Sequence, residues 1–110
     1  MLENISIDDF KKVEIKIGEI KSAEKIEGSD KLLKLKVSFG IEERQVLSGI
    51  ASYFPDPGVL VGKRYPFVTN LAPRTMMGLE SQAMILAAGG EKEVPFTLFE
   101  TNGEPGTRVR

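Results

Sequence analysis

The chain has 110 residues, 41% hydrophobic and 28% charged, with 15 Lys and Arg against 16 Asp and Glu for a net charge of −1. A chain of that size supports one compact domain, burying roughly 60–70% of its unfolded surface. With 0 Cys and 0 His, it lacks a disulfide framework, a thiolate metal site, a cysteine nucleophile and an imidazole base. Histidine is the commonest general acid or base, so most hydrolytic chemistry misses its central part and binding is favoured over catalysis. Balanced charge argues against a simple polycation. There is no run of about 18 apolar residues that would span a membrane, and Met1-Leu2-Glu3-Asn4 has neither the basic nor the apolar segment of a signal peptide. The expected setting is cytoplasmic.

Ser6-Ile7-Asp8-Asp9 sets a capping hydroxyl ahead of two carboxylates, which predicts a helix of about one to two turns with Phe10 as its apolar anchor. Val13, Ile15 and Ile17 then alternate with Glu14 and Lys16, the mark of a half-buried strand. The apolar set resumes out of phase at Ile20, which predicts a β-bulge at Gly18 and a bend of the kind that turns barrel corners. After the turn Glu27-Gly28-Ser29-Asp30, the residues Leu33, Leu35, Val37 and Phe39 alternate with Lys34, Lys36 and Ser38. This second strand has a cationic outer face. Gly40-Ile41-Glu42-Glu43 closes a hairpin into a third strand over residues 44–48. Residues 49–62 hold a helical turn around Ile50-Ala51-Ser52-Tyr53 and the breaker Pro55-Asp56-Pro57-Gly58. Residues 63–71 read as a fourth strand, with Pro66 where no ladder donor is needed, residues 72–78 as a loop, and the apolar residues 81–88 as a buried fifth strand. Residues 89–110 are rich in turns, with one strand over residues 96–99. Five strands, a helical element between the third and fourth, and an early bend describe an all-β, five-stranded OB-type barrel. An SH3-like barrel or a small sandwich would fit the periodicity nearly as well.

Lys34 and Lys36 share a strand face, with Arg44 expected across the hairpin from them and Lys31 at its approach. Such a stripe either meets phosphates or is simply a solvated face. Asn70-Leu71-Ala72-Pro73-Arg74-Thr75-Met76-Met77-Gly78 puts an arginine and two methionines on the loop between the fourth and fifth strands, one of two that grip oligonucleotides in this fold. Arg74 can pair a phosphate or stack on a base while Met76 and Met77 give adaptable apolar contact; alternatively the methionines plug the barrel end. Ser48-Gly49 has no nucleophile elbow and no His to activate it, and Asp8-Asp9 and Glu42-Glu43 suit cap and turn roles. The outer faces of the second and third strands carry no aromatics, which favours recognition of backbone and shape over base stacking.

The run Ile5-Ser6-Ile7-Asp8-Asp9-Phe10-Lys11-Lys12-Val13, then Gly28-Ser29-Asp30-Lys31-Leu32-Leu33, Arg44-Gln45-Val46-Leu47-Ser48-Gly49-Ile50, Asn70-Leu71-Ala72-Pro73-Arg74 and Ser81-Gln82-Ala83-Met84 resembles the tRNA-binding domain family. That family includes the C-terminal domain or β-subunit of methionyl-tRNA synthetase, stand-alone bacterial tRNA-binding proteins and an export-related chaperone branch. Tyr53-Phe54-Pro55-Asp56-Pro57 and Asn70-Leu71-Ala72-Pro73-Arg74 look most like the synthetase branch. The resemblance covers essentially the whole chain. It implies a single OB-fold domain over residues 1–110, with helix and barrel in residues 1–88 and a β-rich extension in residues 89–110 used for homodimerisation. It also implies a non-catalytic module that grips tRNA by shape at the outer corner of the L, with no cofactor or metal, and that raises the tRNA affinity of methionyl-tRNA synthetase. A dimeric peptide-binding chaperone is the alternative within the family. The family's tRNA-facing residues match Asn70, Arg74, Ser81 and Met84, to which charge and strand phase add Lys31, Lys34, Lys36 and Arg44. The family has glycine just before the methionine, where this chain has Ala83.

Overall fold

In the computed structural model, which describes residues 1–110, a short helix α1 (Ile7–Phe10) precedes β1 (Ile15–Lys25), β2 (Leu33–Ser38) and β3 (Glu43–Ser48). Two 3-10 turns (Ala51–Tyr53 and Pro57–Leu60) lead to β4 (Arg64–Val68), a hairpin of β5 (Arg74–Met76) and β6 (Leu79–Ser81), and the short strands β7 (Met84–Ile85), β8 (Ala87–Ala88), β9 (Thr97–Leu98) and β10 (Arg108–Val109). The main sheet runs in the order β3-β2-β1-β4-β7, antiparallel throughout. The 11-residue β1 is its spine. The C-terminal part of β1 pairs β2 along one edge and the N-terminal part pairs β4 along the other, so the sheet curls into a nearly closed OB-like barrel. No helix is long and apolar enough to cross a membrane.

In β2 the inward residues are those the alternation marks, whereas in the first strand Val13 lies exposed ahead of β1. Leu33, Leu35 and Val37 of β2 are wholly buried with Ile20, Val46 and Phe67, and Phe39 meets Phe67 edge to face at 5.5 Å between ring centres. Burial of such side chains is the dominant favourable term in folding.

Several expected features are placed differently. The bulge lies at Lys21, where the pairing steps from Ile20 opposite Val37 to Ser22 opposite Lys36, and not at Gly18. Gly18 is needed for space: a Cβ there would stand 2.5 Å from Val37 Cγ1 and 2.8 Å from Phe39 Cε1. The phase break arises because β1 is covered on both faces. Ile20 enters the core, whereas Ile17 is buried under residues 103–107, whose backbone also bonds it: Ile17 N donates to Thr107 O at 3.0 Å and Gly106 N to Ile17 O at 2.7 Å. The extension is thus part of the chain's own fold, with β10 beside β1 and with Phe96 and Leu98 packed on the core cluster. Residues 72–78 contain half of a hairpin, turning at Met77 and Gly78, both with positive φ. This is the two-residue turn whose twist matches flanking strands. The expected fifth strand is broken into β6, β7 and β8. Ser6 does cap α1, its Oγ accepting from Asp9 N at 3.0 Å, but Phe10 anchors little, because no residue of α1 is buried. Pro66 sits where regular pairing with β7 has ended, its carbonyl accepting from Leu86 N at 3.2 Å.

Gly18→Ala forces a methyl against two core side chains and the Phe67 ring. The expected result is about 2–3 kcal/mol less stability, measured as a lower urea midpoint at unchanged slope.

Candidate nucleic-acid interface

The outer face of the β1–β2–β3 sheet is organised in rows by register. Glu24, Lys34 and Leu47 form one row, and Ser22, Lys36 and Gln45 the next. Residues directly opposite in an antiparallel pair project to the same side, so Lys34 and Lys36 do share a face. Lys34 is tied to Glu24 at 2.9 Å; Lys36 is exposed and has no ion-pair partner.

Arg44 is a correction to the expected stripe. It lies opposite Val37, whose side chain is in the core, so it projects to the other face of the sheet from Lys34 and Lys36. Its guanidinium donates from Nη1 to Thr69 O at 2.6 Å and to Gln82 O at 3.2 Å, pairs with Glu42 at 2.7 Å and lies 5.7 Å from the Phe39 ring centre. An arginine engaged on so many sides is a brace.

The free edge of β3 is met by side chains as well as backbone. Gln82 N donates to Gln45 O at 2.8 Å, while Gln45 N donates to Gln82 Oε1 at 3.0 Å and Leu47 N to Ser81 Oγ at 3.0 Å. The Ser81 hydroxyl also donates to Ala83 O at 3.1 Å, and Gln45 Nε2 to Glu80 O at 2.9 Å. These bonds fold the β5–β6 hairpin against β3. In the hairpin Arg74 is opposite Ser81 and Met76 opposite Leu79, so Arg74, Met76 and Ser81 project to the same side.

Under that side is a pocket of about 60 Å³ lined by Leu47, Leu71, Ala72, Arg74, Met76, Ser81, Ala83 and Met84. Three of the expected site residues, Arg74, Ser81 and Met84, therefore converge, and Leu47 joins them to the Lys34 row. Arg74 is exposed and without an ion pair. Met84 is half-exposed, and the Ala83 methyl is part of the lining. Ser81 is buried, with its hydroxyl already bonded. Asn70 stands at the base of the loop but outside this lining. Its Oδ1 accepts from Glu14 N at 2.8 Å and its Nδ2 donates to Lys12 O at 2.6 Å, clamping the N-terminal segment. Lys31 is exposed in the β1–β2 loop, and that loop approaches the hairpin tip: a Cβ on Gly28 would lie 3.5 Å from Met77 Cε.

Two residues that shape the site are not anticipated from sequence. Leu47 carries a signal, since Val46 and Leu47 are adjacent in a strand and one of them must face outward, which requires a cover on that side. Gln82 carries none, because its role exists only once β3 and β6 meet.

The carboxylates held below their ordinary range lie elsewhere. Glu14 is lowered by the hydrogen bond from Thr69 Oγ1, with burial opposing and Lys16 adding, and Glu19 by hydrogen bonds from Lys21 and Arg64. Burial raises the Tyr65 phenol. The pocket itself holds no carboxylate, and no group of three or more potential metal ligands occurs in the protein.

A family model whose description reads "Putative tRNA binding domain" matches residues 15–108. A methionine--tRNA ligase of Methanoregula boonei is 51% identical over 106 residues, and one of Caldanaerobacter subterraneus subsp. tengcongensis is 44% identical over 108. These matches cover 96% and 98% of this chain but only 16% and 17% of those proteins' length. A crystal structure of a MetRS-related protein from Pyrococcus horikoshii superposes with a TM-score of 0.91 at 40% identity, covering 99% of this chain and 100% of that one. A CsaA chaperone protein from Picrophilus torridus superposes at 0.84 with 27% identity, covering 97% and 100%.

Ser81→Ala leaves the Leu47 N–H inside the barrel seam without its acceptor. We expect a loss of about 1–3 kcal/mol in folding stability, read by thermal or urea unfolding.

Proposed function

The chain belongs to the tRNA-binding domain family, and on that premise we propose that it is a non-catalytic module that holds tRNA by its sugar-phosphate contour with little sequence preference. The observation that carries the reading is Arg74: an exposed guanidinium with no anion of its own, set on a hairpin beside the Lys34 and Lys36 rows. Lys31, Lys36 and Arg74 all lack ion-pair partners, and an unpaired cation is the kind that a phosphate can engage without first breaking a bridge. A-form RNA buries its major-groove edges, so phosphates, ribose hydroxyls and unstacked loops are what a rigid surface can meet. Asn70, Ser81 and Arg44 serve this site by shaping it, since their polar atoms are bonded within the fold. With likeness to a segment of methionine--tRNA ligases, the module's role is to raise the tRNA affinity of a methionyl-tRNA synthetase, in the cytoplasm where tRNA is charged.

A second copy of the chain completes the assembly in this reading. Leu2, Ile5, Ile7, Phe10 and Val13 are exposed along the N-terminal segment, and a groove of about 530 Å³ runs between α1 and β10, lined in part by Ile7, Phe10, Val13 and Val109. Apolar surface of this extent is characteristic of interaction sites. A dimer presents two copies of the Arg74 site on one body, which raises affinity through effective concentration when both engage one tRNA.

The apolar lining under Arg74 favours one competitor, a peptide-binding chaperone, whose binding would show little salt dependence. Filter binding to total tRNA set against a peptide array separates the two. Arg74→Ala is expected to weaken binding to different tRNA species alike. The salt slope should fall by about one for every phosphate that Arg74→Ala or Lys34→Ala/Lys36→Ala leaves unengaged. Wild-type tRNA binding that ignores salt would sink the reading. Sedimentation should find a dimer at micromolar concentration and a monomer after Phe10→Glu; a stable wild-type monomer would refute the assembly.

A further inference from the structure

We propose that the pocket under Arg74 receives the flat face of one unstacked nucleobase of the bound RNA, so that the site reads a base position as well as the backbone. The proposal deepens the tRNA reading and rests on it. Apart from Arg74, the lining offers a phosphate or ribose little to bond. Of the lining side chains only Arg74 and Ser81 carry polar atoms, and the Ser81 hydroxyl is taken by Leu47 N and Ala83 O. What remains is a notch of Leu, Ala and Met side chains with one free guanidinium at its rim. Its volume of about 60 Å³ is too small to enclose a base and suits a ring laid across the mouth.

The chemistry of the rim matches an aromatic face. Met76 and Met84 present thioethers, which make favourable contacts with aromatic rings and adjust to their outline. Arg74 can stack on the same ring or hold its phosphate, and an arginine plane is a common platform for splayed bases. On the adjoining rows Lys36 is exposed and unpaired and is open to a flanking phosphate, whereas Lys34 is held by Glu24 at 2.9 Å. The rim supplies the stacking surface that the aromatic-free outer strands lack, and the free guanidinium of Arg74, the one charged residue of the lining, favours an RNA occupant over an apolar peptide segment.

The test is filter binding of the full chain to an unmodified tRNA transcript, made abasic at each unpaired nucleotide in turn. One position should weaken binding about fivefold or more, the lower end of what a single stacked base contributes. Met84→Ala, at a half-exposed residue, should weaken the intact transcript by a similar factor, leave the transcript abasic at that position unchanged, and keep the salt slope of the wild type. Salt-sensitive binding that no abasic position affects would overturn the proposal while leaving the tRNA reading intact. So would a Met84→Ala effect equal on intact and abasic RNA, or one confined to an apolar peptide. Absence of any tRNA binding by the wild type would overturn both.

Discussion

The edge of β3 is the constraint on which the rest of the molecule depends. A strand edge left open presents unpaired amides that either take up another chain or must be satisfied at home. Here Gln45 N and Leu47 N are satisfied by the side chains of Gln82 and Ser81, with a single main-chain bond from Gln82 N to Gln45 O between them. The seam is made by two side chains and one main-chain bond rather than a full ladder, and the expected fifth strand is divided between β6, which pairs only with β5, β7, which joins the main sheet beside β4, and β8, which pairs with β9. The same bonds hold the β5–β6 hairpin over β3, which creates the pocket and points Arg74 at it. Closing the barrel and building the site are one event.

The two faces of β1 show a related economy. Gly18 gives up its side chain so that Val37, Phe39 and Phe67 can close over the axis, and the neighbouring Ile17 is buried outward beneath the C-terminal extension. The extension is held by charge as well: Arg64, itself paired with Glu19 of β1 at 2.9 Å, donates to Gly103 O at 3.1 Å and lies 3.9 Å from Glu104. Most cations on this side are matched in the same way, with Lys21 against Glu19 and Lys63 against Glu100. Near-zero net charge therefore does not mean a neutral surface. Pairing leaves Lys31, Lys36 and Arg74 without carboxylate partners, and it leaves Glu27, Asp30, Glu43 and Glu80 unpaired on the same loop, sheet face and hairpin, so a polyanion would be met by individual free cations and not by a uniformly positive face.

Strand existence is legible in sequence because it is local: Leu33, Leu35 and Val37 alternate with lysines, and a period of two needs no knowledge of neighbours. So are the Ser6 cap and the helical turn at Ala51–Tyr53. The face assignment of Arg44 is not legible. It follows from hairpin register, where a shift of one residue exchanges the two faces; with Gln45 opposite Lys36, Arg44 falls opposite Val37 and turns inward. The bulge lies away from its expected position for a similar reason, since an outward apolar residue such as Ile17 signals a cover that arrives from some 90 residues further along the chain, at residues 103–107.

Composition and pattern alone determined the broad outcome: no histidine or cysteine chemistry, an all-β fold, a strand in which lysines alternate with core residues, and a loop bearing arginine and methionine. They also carried the family resemblance. Only the tertiary structure decided which polar residues are free to meet a ligand. Asn70, Ser81 and Arg44 read as binding residues in the chain but are occupied in the fold, because each is bonded to a backbone group brought to it by folding. Arg74, Lys31 and Lys36 remain open. That division depends on contacts between residues tens of positions apart, and no local pattern encodes it.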